Sequence, residues 1–115
     1  MTTEYVPLHL ILSAQEMVYR ERVDYYKAAA EHGIESEPIE LKEKGDFYVL
    51  GNGHHRAVAA LERGEPGIEA TTNYQGSVLG TFRPLHKIKV LSGDRPGNHL
   101  PDLAAVIRAT KSHCL

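Results

Sequence analysis

A single cysteine, Cys114, occurs in the 115 residues. One thiol cannot form an internal disulfide, and no basic or helix-capping neighbour marks this one as a low-pKa nucleophile. Long hydrophobic runs are also missing. No stretch approaches a membrane span, and the N-terminal segment is neither basic nor a long apolar run, so a cytoplasmic protein without a membrane partner is expected. There is no excess of charge, since the formal net charge is −2. A chain so balanced has no general attraction for nucleic acid or anionic lipid, and any anion site must be local. Internal repeats, low-complexity tracts and linkers are absent, as are a Gly-x-Ser-x-Gly elbow and a Walker loop. His9, His32, His86, His99 and His113 follow no metal-ligand spacing, so no metal site is expected. The length fits one domain.

What is present is concentrated in Gly51-Asn52-Gly53-His54-His55-Arg56 and the adjoining Ala57-Val58-Ala59-Ala60-Leu61-Glu62-Arg63-Gly64. The pattern predicts strand, tight turn, helix. Phe47-Tyr48-Val49-Leu50 is aromatic and β-branched. Val58 and Leu61 share a helix face that ends at Gly64, with Arg63 in the last turn. Glycines flanking Asn52 allow a sharp turn and close approach of a ligand, and the amides at the helix start suit an anion, phosphate above all. Arg56 in the first helical turn opposes the helix dipole at a cost of roughly 0.3–1 kcal/mol. A bound phosphate would offset this through bidentate guanidinium hydrogen bonds, and pairing with a carboxylate elsewhere is the structural alternative. Adjacent histidines on a helix diverge by about a quarter turn, so His54 and His55 are not expected to share a metal ion. His55 reads as a donor to a phosphate oxygen or a general acid. His54 reads as a ligand-facing or ring-stacking residue, with a backbone hydrogen bond as the equal alternative.

Taken in order, Tyr5-Val6-Pro7-Leu8-His9-Leu10-Ile11-Leu12 predicts one strand with Pro7 at its entry or on an edge. Ser13-Ala14-Gln15-Glu16 matches a capping box opening a helix whose apolar face is Tyr19, Val23, Tyr26 and Ala30 and whose end is Gly33. Tyr25 and Tyr26 read as core and rim packing rather than a stacking platform. Residues 38–42 and 47–50 predict a hairpin, residues 68–74 a further strand, and residues 87–91 the one strand-like run in a weak stretch. Pro101 at a first helical position, Asp102 in the first turn, and Leu103, Val106, Ile107 and Thr110 at helical spacing predict a closing helix, packed on the domain or on a second copy. The whole is α+β, a small mixed sheet with flanking helices. A single domain over residues 1–115 is expected, with a core of about residues 4–75 and a C-terminal extension over 76–115.

With these elements placed, the chain resembles the ParB/sulfiredoxin superfamily. The resemblance rests on Val6-Pro7-Leu8, Gly33, Glu37-Pro38-Ile39-Glu40-Leu41, Tyr48-Val49-Leu50, Gly53-His54-His55-Arg56, Ala59-Ala60, Gly64 and Ile68. It implies a nucleotide phosphate held where the helix starts, between Gly53 and Arg56. Members include CTP-binding partitioning proteins, ATP-using sulfiredoxins and free serine kinases. Sulfiredoxins carry a reactive cysteine in a Gly-Cys-His-Arg turn where this chain has His54, which argues against sulfinic acid repair. Partitioning proteins show a Gly-Glu-Arg-Arg-like turn and further domains, for which these residues leave no room. The serine kinase turn, Asp-Gly-His-His-Arg, is the nearest in motif, with Asn52 here in place of the acid. An amide is neither a base nor a good ligand for a hard cation. The kinases' glutamate base after the first strand has Glu16 as its nearest counterpart, with Gln15 beside it.

The resulting expectation is a nucleotide- or phosphate-binding domain with Asn52, Gly53, His54, His55 and Arg56 as its binding residues. If it is an enzyme, it transfers or hydrolyses a phosphoryl group with Glu16, His55 and Arg56 as catalytic residues, ATP, ADP or CTP as cofactor and Mg²⁺ as a companion ion. The alternative is a non-catalytic regulatory or DNA-associated module. Arg83, His86, Lys87 and Lys89 form a modest basic stretch, but nucleic acid is not the favoured partner, and a homodimer is left open.

Overall fold

Pro7 divides the N-terminal apolar run into two strands where its composition predicts one. In the computed structural model, which describes residues 2–96, 100 and 102–112, β1 (Glu4–Pro7) is followed by a 3-10 turn at Leu8–Leu10 and then by β2 (Ile11–Ser13). Proline cannot donate to a ladder, and the next amide, that of Leu8, turns away to the Pro66 carbonyl at 3.0 Å.

The capping box is a second correction. Ser13 is fully buried, and its hydroxyl oxygen accepts the Gln15 N–H at 3.0 Å, closing a local turn instead of opening a helix. The chain makes another strand, β3 (Met17–Tyr19), before α1 (Arg20–Glu31) begins. Within α1 the predicted face holds, with Val23 fully buried and Tyr26 packed against the core. The helix ends as predicted at Gly33, whose φ of 74° permits two closing bonds, Ile34 N–H to Ala29 O at 2.9 Å and Gly33 N–H to Ala30 O at 3.0 Å.

The predicted hairpin is β4 (Ile39–Lys44) and β5 (Phe47–Asn52), antiparallel across Gly45 and Asp46, with Gly45 at φ 64°. Positive φ at the first of two loop residues is what a tight hairpin turn of matching twist requires. The ladder slips by one residue near its end, because Leu41 pairs with Leu50 but Glu40 with Asn52. Gly51 is the extra residue. A side chain there would collide with the Tyr74 ring. Such a bulge bends the strand and re-aims the chain beyond it, here α2 (His54–Glu62).

Next comes β6 (Gly67–Thr71), which stops three residues short of the predicted end although Tyr74 N–H still reaches Leu41 O at 3.0 Å. Arg83–Pro84 forms the two-residue β7, Leu85–Lys87 a 3-10 turn, and Lys89–Leu91 the strand β8, so the run expected at residues 87–91 is strand only in its last three residues. The closing helix is α3 (Leu103–Ser112), with Asp102 outside it as a cap accepting the Ala104 N–H at 3.1 Å. Pro101, His99, His113 and Cys114 lie outside the described residues.

The six-stranded sheet runs β1-β6-β4-β5-β2-β7, and β3 pairs with β8 in a separate parallel two-stranded sheet. Burial alternates along β4, with Ile39 and Leu41 inside and Lys42 exposed, so one face of the sheet carries the core. Val6, Ile11, Val23, Leu50, Val58 and Leu85 belong to the same cluster. The fold is therefore α+β, a mixed sheet with flanking helices. Among the described residues no helix is long and apolar enough to cross a membrane.

Candidate functional site

The bulge at Gly51 and the turn at Gly53 deliver α2 into a cleft of about 660 Å³. Gly53 is the N-cap residue, at φ 102° and ψ 30°. That left-handed conformation favours glycine, and space demands it too, since a Cβ would lie 2.6 Å from Ile39 Cγ2 and 2.9 Å from Arg56 Nη2. No side chain caps α2. The first-turn amides therefore keep their partial positive charge without a side-chain partner.

His55 joins the starts of two helices. Its Nε2 accepts the Tyr19 N–H at 3.1 Å, and the two rings lie nearly parallel, at 15°, with centroids 6.2 Å apart. Tyr19 is the residue before α1, so the ring pins the start of α1 to the start of α2. Burial, helped by the nearby Arg22 and Arg95 charges, pushes the His55 pKa down to about 4, and burial alone does the same for His54. Both rings are neutral near pH 7. With Nε2 accepting, the proton of neutral His55 resides on Nδ1, so this ring can donate a hydrogen bond but is a weak acid.

Arg56 folds back from the helix start. It donates to the carbonyl oxygens of Glu37 at 2.5 Å and Pro38 at 3.1 Å, in the segment leading to β4. These carbonyls, rather than a carboxylate among the described residues, are the protein groups that offset the position of Arg56 at the helix start. Arg56 still forms part of the cleft wall, as do Asn52, Gly53, His54 and His55. Asn52 Nδ2 donates to Glu40 Oε2 across the bulge at 2.7 Å.

Glu16 is the one predicted site residue that the fold does not bring to the others. Its exposed carboxylate points to Arg83, 3.8 Å away, and Gln15 lines the cleft in its place. Gln15 is itself engaged, donating to Met17 O at 2.6 Å. Two arginines that the sequence did not single out, Arg22 and Arg95, complete the wall together with Tyr19 and Tyr26. Arg22 lies in the first turns of α1, with Nε bonded to Asp94 Oδ1 at 3.2 Å. Arg95 comes after β8, and the turn Gly93-Asp94-Arg95-Pro96 was the available signal for it. The charged side chains of the wall are thus Arg22, which carries the Asp94 carboxylate as its partner, Arg56 and Arg95, and no aspartate or glutamate is among the described lining residues. Nor do the described residues group three or more metal-ligating side chains. Guanidinium groups gathered along one cleft wall favour an anionic guest.

The mixed six-stranded sheet, with a glycine turn leading into a helix that faces a cleft, is similar to the fold of solved sulfiredoxin-like structures. Sulfiredoxin from Arabidopsis thaliana superposes with a TM-score of 0.52 at 18% identity, over 64% of this chain and 85% of its own. A conserved hypothetical protein from Pyrococcus furiosus gives 0.58 at 18% identity, over 67% of this chain and 34% of its own. A protein from Agrobacterium tumefaciens gives 0.54 at 11% identity, over 99% of this chain and 48% of its own. By sequence, an uncharacterized protein of Methanocaldococcus jannaschii is 32% identical over 72 residues, which is 62% of this chain. The chain spans only 27% of that relative's length. No family model matches the chain.

Proposed function

We propose that this domain binds a nucleotide or another phosphorylated small molecule in the cleft at the start of α2. The observation that carries the reading is the uncapped α2 N-terminus opening into a wall of three arginines without a carboxylate. Helix-terminal amides and guanidinium groups both favour phosphate oxygens, and His55 Nδ1–H adds a neutral donor. Tyr19 and Tyr26 add aromatic surface to the same wall.

Two observations favour binding without phosphoryl transfer, the reading of a regulatory module. Among the described lining residues there is no carboxylate to act as a base, and Glu16 faces Arg83. His54 and His55, with pKa values of about 4, are weak bases.

The test is thermal denaturation in the presence of ATP, ADP, CTP, GTP and pyrophosphate, each with and without magnesium. A ligand at a hundred times its dissociation constant adds about 2.7 kcal/mol, a shift of several degrees in a domain of this size. A shift with one nucleotide names the ligand. No shift with any of the five overturns the reading.

A further inference from the structure

Arg22 is only half satisfied. Its side chain is 12% exposed, Nε is bonded to Asp94 Oδ1, and Nη2 is buried without a hydrogen-bond partner. A planar guanidinium offers parallel N–H pairs that a two-oxygen anion can fill together, yet Asp94 engages Nε alone. The Asp94 carboxylate has a second tie, because the same Oδ1 accepts the Arg95 amide at 2.7 Å. The segment around it is anchored at the start of α1, where Glu21 N–H donates to Gly93 O at 3.1 Å. One acidic side chain is therefore seated on a cation of the cleft wall, with part of that cation idle, in a wall that holds no acid of its own.

Resting on the phosphate-binding reading, we propose that Asp94 is a selectivity residue of this cleft, an internal carboxylate that occupies Arg22 and is displaced by the anionic group of the ligand. The exchange is chemically favourable only for a strong competitor. A terminal phosphate carries up to two charges and three acceptor oxygens, enough to fill both Nε and Nη2, whereas a carboxylate merely matches what Asp94 already provides. The cleft thus discriminates for phosphate against carboxylate ligands of the same size. Arg95, adjacent to Asp94, stays at the wall after the exchange.

Isothermal titration with pyrophosphate, and with malonate as a carboxylate of similar span, tests this in the wild type, Asp94→Asn, Arg22→Gln and the double variant. Asp94→Asn is expected to tighten pyrophosphate binding about tenfold and to admit malonate. In the Arg22→Gln background the same change should give less than about a twofold gain, because its effect runs through that guanidinium. A gain of equal size in both backgrounds would mean a general charge effect and would overturn the proposal. So would wild-type binding of pyrophosphate that Asp94→Asn leaves unchanged or weakens, since Asp94 would then only orient Arg22. If neither the wild type nor Asp94→Asn binds pyrophosphate, the phosphate-binding reading itself fails, and the proposal with it. Asp94→Ala serves as a second variant should the asparagine disturb the Gly93-Asp94 turn.

Discussion

A histidine that must stay neutral to accept a hydrogen bond makes the protein sensitive to acid. His54 and His55 have folded-state pKa values of about 4 against 6.5 for the free side chain. As the pH falls below 6.5 the unfolded chain takes up these protons first, so stability is lost from there down through pH 4, and it is fully present above 6.5. The melting temperature is expected to drop steadily between pH 6.5 and 4, and His54→Gln should shrink the drop; a flat profile across that range would count against the buried, neutral state of both rings. Arg56 acts at the same scale. Arg56→Ala leaves the Glu37 and Pro38 carbonyls without their donor and should lower stability to urea by about 1–2 kcal/mol. If pyrophosphate affinity falls less than threefold in that variant, Arg56 is a scaffold residue and the anion is held by the amides, Arg22 and Arg95.

Two glycines at the ends of α2 differ in what surrounds them. Gly64, at φ 77°, has open space around its Cβ position and closes the helix through Glu65 N–H to Ala60 O at 3.1 Å and Gly64 N–H to Leu61 O at 3.0 Å. Gly64→Ala should cost about 1 kcal/mol, the left-handed penalty alone. Gly53→Ala meets the same penalty and also Ile39 at 2.6 Å, so it is expected to cost more than Gly64→Ala in chemical denaturation and to weaken anion binding as the helix start shifts. Equal costs for the two would show that the Gly53 turn can relax. These glycines also explain what could be read from the chain. Gly33, Gly45 and Gly64 punctuate elements by local backbone chemistry, and the ends of α1 and α2 and the hairpin turn fall where they predict. The start of α1 was not legible, because Ser13 and Glu16 carry a local capping signal that the fold uses otherwise. The intervening β3 exists through its pairing with β8, in which Val18 aligns with Val90, and no local pattern announces a partner so distant. The candidate site divides the same way. Its local half, Asn52 to Arg56, was visible in the sequence, while Arg22 and Arg95 join it only through the fold.

For the whole molecule, the small net charge of −2 and the local cluster of arginines make separate demands on any anionic partner. A compact phosphate ligand can enter the cleft, whereas a duplex must lie against a surface without a general positive field. Random-sequence duplex DNA at about 0.15 M salt is therefore expected to give no mobility shift. A robust shift would move the reading toward a DNA-associated module.

The two outermost strands of the large sheet share a feature with a consequence for association. β1 runs from Glu4 to Pro7, and β7 is no more than Arg83 and Pro84, so each open edge carries a charge and a residue without an N–H. Unpaired edges are templates on which foreign strands add and aggregates grow, and charge, proline and brevity are the means by which natural sheets blunt them. An incoming strand at β7 would find a ladder two residues long with one amide missing. Both ends of this sheet are thus blunted against lateral growth.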